Sequence, residues 1–361
     1  MKIKELALNC YRNYENQTIE FSDGINILYG DNAQGKTNIL EAIYMLATTK
    51  SHRGSKDKEI IMFDRDDAHI RADINKNEIG HRIDMHLRKN RSKGVAIDRI
   101  PIKKSAELFG LINIIIFSPE DLSIIKESPS ERRRFIDMEL CQLNKIYYSD
   151  LSTYNKVLMQ RNNLLKQIYY DKSKIDMLSV WDLQLSDYGT RIIRERIKFI
   201  DMIGEIIKEI HSKLTSGKET IQVVYDKNIN EDDFLEELST KRDNDLRLQS
   251  TQIGPHRDDI IFMVNDRDVK KYGSQGQQRT VALSLKLAEI ELVKQLINDN
   301  PILLLDDVMS ELDSTRRNEL LSSIDDTQTI ITCTGYDDFI KERLSIDRLY
   351  RVENGTILET R

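Results

Sequence analysis

Proline and glycine are scarce in this chain, at 5 and 15 of 361 residues, which excludes fibrous and collagen-like architectures. Cysteine is rarer still. Cys10, Cys141 and Cys333 are odd in number and far apart, which argues against a disulfide framework and a zinc site and for a cytosolic protein. Long hydrophobic runs are missing: the longest are Leu111–Phe117, interrupted by Asn113, and Pro301–Leu305, far short of the ~20 residues a membrane helix needs. The opening residues, MKIKELALNCYRNY, hold no apolar core of signal-peptide length. An excess of positive charge is also lacking. With 54 Lys and Arg against 60 Asp and Glu the net charge is −6, which excludes a histone-like nucleic-acid binder and leaves room for a local basic patch.

What is present describes a folded, soluble chain: 39% hydrophobic and 32% charged residues, over a length that exceeds one ordinary domain. Short strands are predicted at Ile3–Leu8, Thr18–Phe21 and Ile25–Leu28. Beyond Lys36, apolar residues at three- and four-residue spacing (Ile39, Leu40, Ile43, Leu46) predict a helix. Residues 59–117 alternate apolar and polar positions and read as a β meander, with turns at Asn77, Gly80 and 92–94. At Ser128-Pro129-Ser130-Glu131 an N-cap serine, a proline at the first helical position and a glutamate three after the cap predict a capping box. To about residue 215 the chain reads as long helices. One stripe is Leu151, Tyr154, Leu158, Leu165, Ile168, interrupted at Arg161; a second is Leu178, Trp181, Leu185, Tyr188, Ile192; a third is Ile200, Ile203, Ile207, Ile210, Leu214. Two of these helices are expected to pair antiparallel about the turn at 170–174. Residues 218–252 are mostly polar, with one helical piece near 232–238. The α/β pattern returns after Gly254: a strand at Ile260–Val264, a helix at Val281–Ile297, strands at Ile302–Leu305 and Thr329–Thr332, and a final hairpin turned at Glu353-Asn354-Gly355. The expected organisation is an α/β ATPase head from residues 1–122 and 250–361, with an inserted helical lobe at 123–249.

Three motifs carry chemistry. Gly30-Asp31-Asn32-Ala33-Gln34-Gly35-Lys36-Thr37, followed by Asn38, is a complete G-x-x-x-x-G-K-[ST] loop between strand and helix. Its glycines let backbone N–H groups converge on phosphate at the positive end of a helix, Lys36 reaches the β- and γ-phosphates, and the Thr37 hydroxyl ligates Mg²⁺. Leu303-Leu304-Leu305-Asp306-Asp307 is an apolar strand ending in two carboxylates, where Asp306 fits a Mg²⁺ ligand and Asp307 a general base. Gly273-Ser274-Gln275-Gly276-Gln277-Gln278-Arg279 opens a helix and offers a second anion-binding surface with no carboxylate in it.

These motifs, with Ser51-His52-Arg53, Phe117 to Leu122, Ser128 to Phe135, Gly254 to Asp259 and Leu303 to Asp313, resemble the ABC/SMC-like ATPase family of chromosome and repair proteins, and they span residues 1 to about 335. The resemblance implies an ABC-type P-loop ATPase head that binds ATP and Mg²⁺. It implies that Ser274, Gly276 and Gln277 act in trans on ATP held by a second copy, so that ATP closes a homodimer, with Ser310-Glu311-Leu312-Asp313 crossing the interface. Arg12 and Asn13 occupy the position from which related proteins contact nucleotide. The family usually has glutamate at Asp307, so slow hydrolysis is expected, that of a weak DNA-stimulated ATPase working as a switch. It usually has a switch histidine where this chain offers Thr332, Cys333 and Thr334. His52 and His256 lie within family motifs, with structural and active-site roles both open. The implied function is cytoplasmic, ATP-dependent DNA binding in recombination, DNA damage and SOS responses and replication-fork maintenance, on duplex DNA and single-strand/double-strand junctions. The implied partners are RecR, with RecO and RecA downstream.

From His81 to Lys104 eight Lys and Arg stand against two Asp, and Arg88, Lys89, Arg91 and Lys93 sit at a hairpin tip, where side chains can reach DNA phosphates. Arg132, Arg133, Arg134, Arg191, Arg194, Arg196 and Lys198 are further candidates. The alternative reading, an ABC transporter-type nucleotide-binding subunit, is opposed by the roughly 235 residues between phosphate loop and signature. A chromosome-type coiled-coil tether would need heptads that continue far beyond these, and a plain kinase would leave Ser274 unexplained.

Overall fold

The computed structural model describes residues 1–104, 107–310, 312–324, 326–335 and 345–360. Strands β1 (Lys2–Tyr11), β2 (Tyr14–Glu20) and β3 (Ile25–Tyr29) lead into helix α1 (Lys36–Thr48) and the short α2 (Asp57–Ile60). Strands β4 (Asp67–Lys76), β5 (Ile79–Arg88), β6 (Gly94–Ile97), β7 (Ile100–Pro101) and β8 (Ile114–Phe117) follow. Next come α3 (Leu122–Lys126), α4 (Pro129–Leu143), α5 (Lys145–Tyr170) and α6 (Leu178–Leu214), then β9 (Ile221–Asp226), α7 (Phe234–Thr240) and α8 (Arg242–Leu248). After β10 (Asp259–Val264), β11 (Arg267–Asp268), α9 (Val269–Tyr272) and α10 (Gln275–Ile297), the chain closes with β12 (Ile302–Asp306), α11 (Ser314–Ser323), β13 (Thr329–Cys333), β14 (Ile346–Glu353) and β15 (Thr356–Glu359).

The fold is of the expected α/β class, and the chain packs as two units, 1–121 with 289–361, and 122–288. The first division lies one residue from the expected boundary. The second lies inside α10 rather than at 249/250, because β10 pairs antiparallel with β9 and β11 in a sheet of its own. The signature residues 273–279 therefore belong to the unit of the long helices.

In the first unit one sheet runs β15-β14-β3-β13-β12-β8, parallel throughout except for the β14–β15 hairpin. Its inner strands are covered on both faces, which is why Ile302–Leu305 and Ile330–Ile331 read as unbroken apolar runs. The second sheet, β2-β1-β4-β5-β6-β7, is antiparallel throughout and holds the expected meander. Its hairpin turn Asn77-Glu78 places both residues at positive φ, the type I′ geometry that suits right-twisted strands. The meander ends sooner than the alternation suggests. Ile114–Phe117 joins the other sheet, parallel to β12, with Ile114 opposite Ile302.

In the second unit α5 and α6 lie antiparallel, as expected: Arg161 meets Asp182, Asp150 meets Arg191, and Asn144 meets Glu195. Arg161, the interruption in the first stripe, is fully buried, with Nε on Asp182 at 2.7 Å and a terminal nitrogen on Asp245 at 2.6 Å. Both carboxylates are buried with it, so removing either partner would strand a charge in the core. Ser128 is the N-cap of α4, but the capping box does not form: its hydroxyl engages Ser130 and makes no cap bond. The polar stretch 218–252 also holds more structure than its composition suggests, β9 and α8 besides the expected helix, because β9 is short and half-buried.

His256 serves structure. Its Nε2–H donates to Thr251 O at 3.2 Å, and its Nδ1 accepts from the Tyr154 hydroxyl at 2.7 Å. Burial pushes its pKa down to about 4. The unfolded chain, with an ordinary histidine near 6.5, takes up more protons between pH 6.5 and 4, so the stability contributed by the neutral ring is intact above pH 6.5 and lost as pH falls. The stability advantage of wild type over His256→Gln is expected to shrink by about 2 kcal/mol between pH 7 and pH 5. Urea midpoints of both proteins at the two pH values check this; an unchanged gap refutes it.

Candidate functional site

The phosphate loop leaves β3 at Gly30 and enters α1 at Lys36. Gly35, the N-cap of α1, has φ +116, and a Cβ there would come within 2.5–2.8 Å of the Asn13 amide and the Tyr14 hydroxyl. At Gly30, φ +150, a Cβ would strike Val352 O at 2.3 Å, so only glycine fits at either end of the loop. The loop is clasped from two sides. Asn13 donates to Gln34 O at 2.8 Å and accepts from Asn38 at 2.9 Å, while Asn354 N and Gly355 N, at the final hairpin turn, donate to Gln34 Oε1 and Gln34 O. Ala33 takes φ +64 within this clasp. The first turn of α1 carries no acidic residue, so nothing there opposes an anion.

Lys36 is buried, and its ammonium donates to Gly30 O at 2.6 Å and Asp31 O at 2.7 Å. Burial lowers its pKa, against the opposing pull of Asp307, Cys333, Asp306 and Asp31. The Thr37 hydroxyl donates to Asp306 Oδ1 at 2.8 Å, bringing together the two oxygen donors that the motifs assign to Mg²⁺. Thr332 donates to the same Asp306 oxygen at 2.8 Å, and its own oxygen accepts from Asp307 N at 3.0 Å. Asp307 is held at φ +54, a conformation that a non-glycine residue adopts only where its surroundings impose it. Thr332, one of three residues weighed for the switch position, is thus the brace of both aspartates. The residues fit a nucleotide and its metal: a glycine-bounded loop enters a helix whose first turn carries no acid, a desolvated ammonium lies against the loop carbonyls, and a hydroxyl–carboxylate pair stands beside it.

Arg12, next to Asn13 in the chain, is tied to the helix that follows the loop. Its guanidinium holds Glu41 of α1 through two bonds of 2.7 and 2.8 Å and also donates to Ser55 Oγ and Glu59 O. Glu41 is completely buried and accepts from Tyr11 and Ser51 as well. Burial pushes this carboxyl up, but the hydrogen bonds from Arg12 and Ser51 and the charge of Arg12 outweigh it and hold the group below its usual range. Arg12→Ala would leave the carboxylate buried without its cation and is expected to cost about 3 kcal/mol of stability, read from the denaturant midpoint; a cost below about 1 kcal/mol would contradict that role. The sequence carried a signal for this pair, since Glu41 interrupts an otherwise apolar helix.

In the second unit, Ser274, Gln275 and Gly276 are exposed at the start of α10, which begins at Gln275 rather than Val281. Ser274 N donates to Gln277 Oε1 at 2.9 Å, and Gln277 N donates to Ser274 Oγ at 3.2 Å, a reciprocal cap that holds the serine at the helix end. Of the interface loop, Ser310 accompanies Asp307 and Asp313 caps α11, while Glu311 lies outside the described residues.

The basic candidates divide. Arg88 and Arg91 are exposed and make no ion pair among the described residues. Lys89 lies 3.6 Å from Asp66, and Lys93 is folded back onto Thr49 O and Asp57. On the second unit the arginines meet acids or carbonyls of that unit: Arg132 pairs with Asp259, Arg133 donates to Asp258 O, Arg191 pairs with Asp187 and Asp150, Arg194 with Asp232, and buried Arg196 with Asp137 and Asp258. Arg134 and Lys198 each face a glutamate on their own helix.

Residues 2–357 match the model of the RecF/RecN/SMC N terminal domain family. The chain is 60% identical over 357 residues to the DNA replication and repair protein RecF of Lachnoclostridium phytofermentans, covering 99% of each. It is similar to a solved structure of the recombination mediator protein RecF with ATP, of the RecFOR pathway, at 34% identity and a TM-score of 0.94 over 99% of this chain and 97% of that one. The Smc head domain of Pyrococcus furiosus, at 16% identity and a TM-score of 0.57 over 99% and 95% of the two chains, shares the fold.

Proposed function

The chain belongs to the RecF family, and from that footing we propose that it is an ATP-dependent DNA-binding protein of DNA replication and recombinational repair whose two copies close around ATP. Residues Gly30 to Asn38, with Asn13 bracing the loop, hold the nucleotide. Lys36 exchanges its two loop carbonyls for phosphate oxygens, and Arg12 supports the site through Glu41. Thr37 and Asp306 would hold Mg²⁺, which would supply charge neutralisation at the phosphates. Asp307, fixed by Thr332, orients the attacking water, and its short side chain keeps hydrolysis slow.

The observation that carries the dimer is Gly276. It has no positive φ, and a Cβ placed on it would meet nothing closer than Ser274 Oγ at 3.8 Å. No residue among those described requires glycine there, and glycine weakens a helix by ~0.5–1 kcal/mol relative to alanine. The empty space beside an exposed, capped serine at a helix N-terminus suits the phosphate of a nucleotide bound to a second copy. Arg88 and Arg91, with Lys89 beside them, are the cations available to DNA phosphates, so binding weakens as salt rises. RecR is the expected partner, with RecO and RecA downstream, in the cytoplasm. The transporter-type alternative is not favoured by the full-length match to RecF.

Light scattering of the full chain, with and without ATP–Mg²⁺ and with added duplex DNA, tests this reading. A doubling of mass with ATP–Mg²⁺ supports it. A monomer that binds ATP yet keeps its mass under every condition rules it out.

A further inference from the structure

The signature serine is connected to the buried end of α6. His211, on the last turns of that helix, is fully buried, with Nδ1 2.9 Å from Ser284 Oγ on α10 and Nε2 3.3 Å from Glu219 Oε2. The other Glu219 oxygen accepts from Gln277 Nε2 at 2.9 Å. Gln277 then caps Ser274 through both its side-chain oxygen and its backbone N–H. The side-chain hydrogen bonds run from α6 through Glu219 and the Gln277 amide to Ser274 N, while the Gln277 backbone N–H holds the serine hydroxyl.

The chemistry of each link gives the chain a direction. An ionised carboxylate only accepts, so Glu219 demands a donor on each side: the ring N–H of His211 on one, the amide NH₂ of Gln277 on the other. With its NH₂ committed to Glu219, the Gln277 amide presents oxygen to Ser274 N. Rotated by half a turn, the same amide would set NH₂ against that N–H, donor against donor. His211 holds Glu219 in place in either ring state. A neutral ring donates from Nε2 and accepts the Ser284 hydroxyl at Nδ1, while a protonated ring donates at both nitrogens and Ser284 turns to Thr280 O, 2.8 Å away.

We infer that Glu219, anchored by His211, is a positioning residue for the signature: it selects the Gln277 amide orientation that caps Ser274, so the serine is set before a second copy's nucleotide arrives. A donor oriented in advance loses less freedom on binding, and its contact is correspondingly stronger. The inference deepens the dimer reading and rests on it.

The test compares full-length wild type, Glu219→Ala, Glu219→Lys and Glu219→Gln, all outside the signature itself. Sedimentation in ATP–Mg²⁺ gives the dimer constant, and calorimetry at low protein concentration gives monomer ATP affinity. Glu219→Ala is expected to weaken the ATP-loaded dimer by at least about 10-fold, the order of one charge-assisted hydrogen bond, with monomer ATP affinity unchanged. Glu219→Lys sets a donor against the Gln277 NH₂, favours the other amide orientation and is expected to weaken the dimer at least as much. Glu219→Gln still accepts from Gln277 through its amide oxygen, its NH₂ meeting His211 Nε2 in the other tautomer, and is expected to stay within about threefold of wild type. That contrast follows hydrogen-bond direction and does not depend on Glu219→Ala folding. If Glu219→Lys dimerises as wild type does, or Glu219→Gln loses the dimer, the positioning role is wrong while the dimer stands. If wild type itself never dimerises with ATP, the dimer reading fails and this inference falls with it.

Discussion

Lys36→Met is expected to bind ATP at least about 100-fold more weakly than wild type while unfolding within about 1 kcal/mol of it. The two effects separate because of what the lysine touches. Its ammonium is bonded to Gly30 O and Asp31 O, both in the loop itself, and is buried beside Asp306 and Asp307. Removing it takes a partly desolvated charge out of the unit, which offsets the loss of two hydrogen bonds from a loop still clasped by Asn13, Asn354 and Gly355. The nucleotide has no such compensation. It loses a charge-assisted contact to its phosphates, and the carboxylates at the end of β12 lose their nearest cation. Lys36→Arg is expected to fail as well, since a planar guanidinium does not fit where a point charge meets two carbonyls. Calorimetric titration with ATP–Mg²⁺, paired with urea denaturation, reads both quantities. ATP affinity within threefold of wild type would remove Lys36 from the site.

The phosphate loop was legible in the sequence because everything that makes it is local: a buried strand, two glycines where the backbone needs them, and a helix whose first turn carries no acid. The carboxylates after Leu305 were legible for a similar reason, since a strand covered on both faces is apolar until it reaches the sheet's end. What escaped depends on partners distant in sequence. Ile114–Phe117 reads as one more strand of a meander, and only its pairing with residues 302–305 places it in the other sheet. Pattern alone could not divide 250–288 from the nucleotide sheet, because β10 looks the same whichever sheet takes it up. The basic residues of the second unit read as no more than candidates for DNA because their acidic partners are distant in sequence, up to 127 residues away, as Asp259 is from Arg132. His211 was hidden by its setting. It takes an apolar place in the third helical stripe, where the buried positions are Ile200, Ile203, Ile207, His211 and Leu214 rather than Ile210. A polar residue buried in such a stripe, like Glu41 in α1 and Arg161 in α5, announces that a partner exists without saying which.

Gly276→Ala separates folding from assembly in the opposite sense to Lys36→Met. Among the described residues of one copy the added methyl meets only Ser274 Oγ, at a comfortable 3.8 Å, and it replaces the poorest helix former but proline in the first turn of α10. The variant is therefore expected to be as stable as wild type or about 0.5–1 kcal/mol more so, with ATP affinity of the monomer unchanged. In the proposed dimer the methyl would stand where the other copy's phosphate approaches. Overpacking by a methyl costs on the order of 1–3 kcal/mol, and a two-fold interface counts it twice, so the dimer constant is expected to weaken by roughly 30-fold or more. Few substitutions combine a neutral or favourable effect on folding with so large a loss of association, and that combination points to a contact outside the chain. Light scattering in ATP–Mg²⁺ across a concentration series, with a urea midpoint on the same sample, measures both sides. A Gly276→Ala protein that dimerises as tightly as wild type would mean that the space beside Ser274 is not filled by a second copy's nucleotide, and the reason for glycine at this position would have to be sought in another partner.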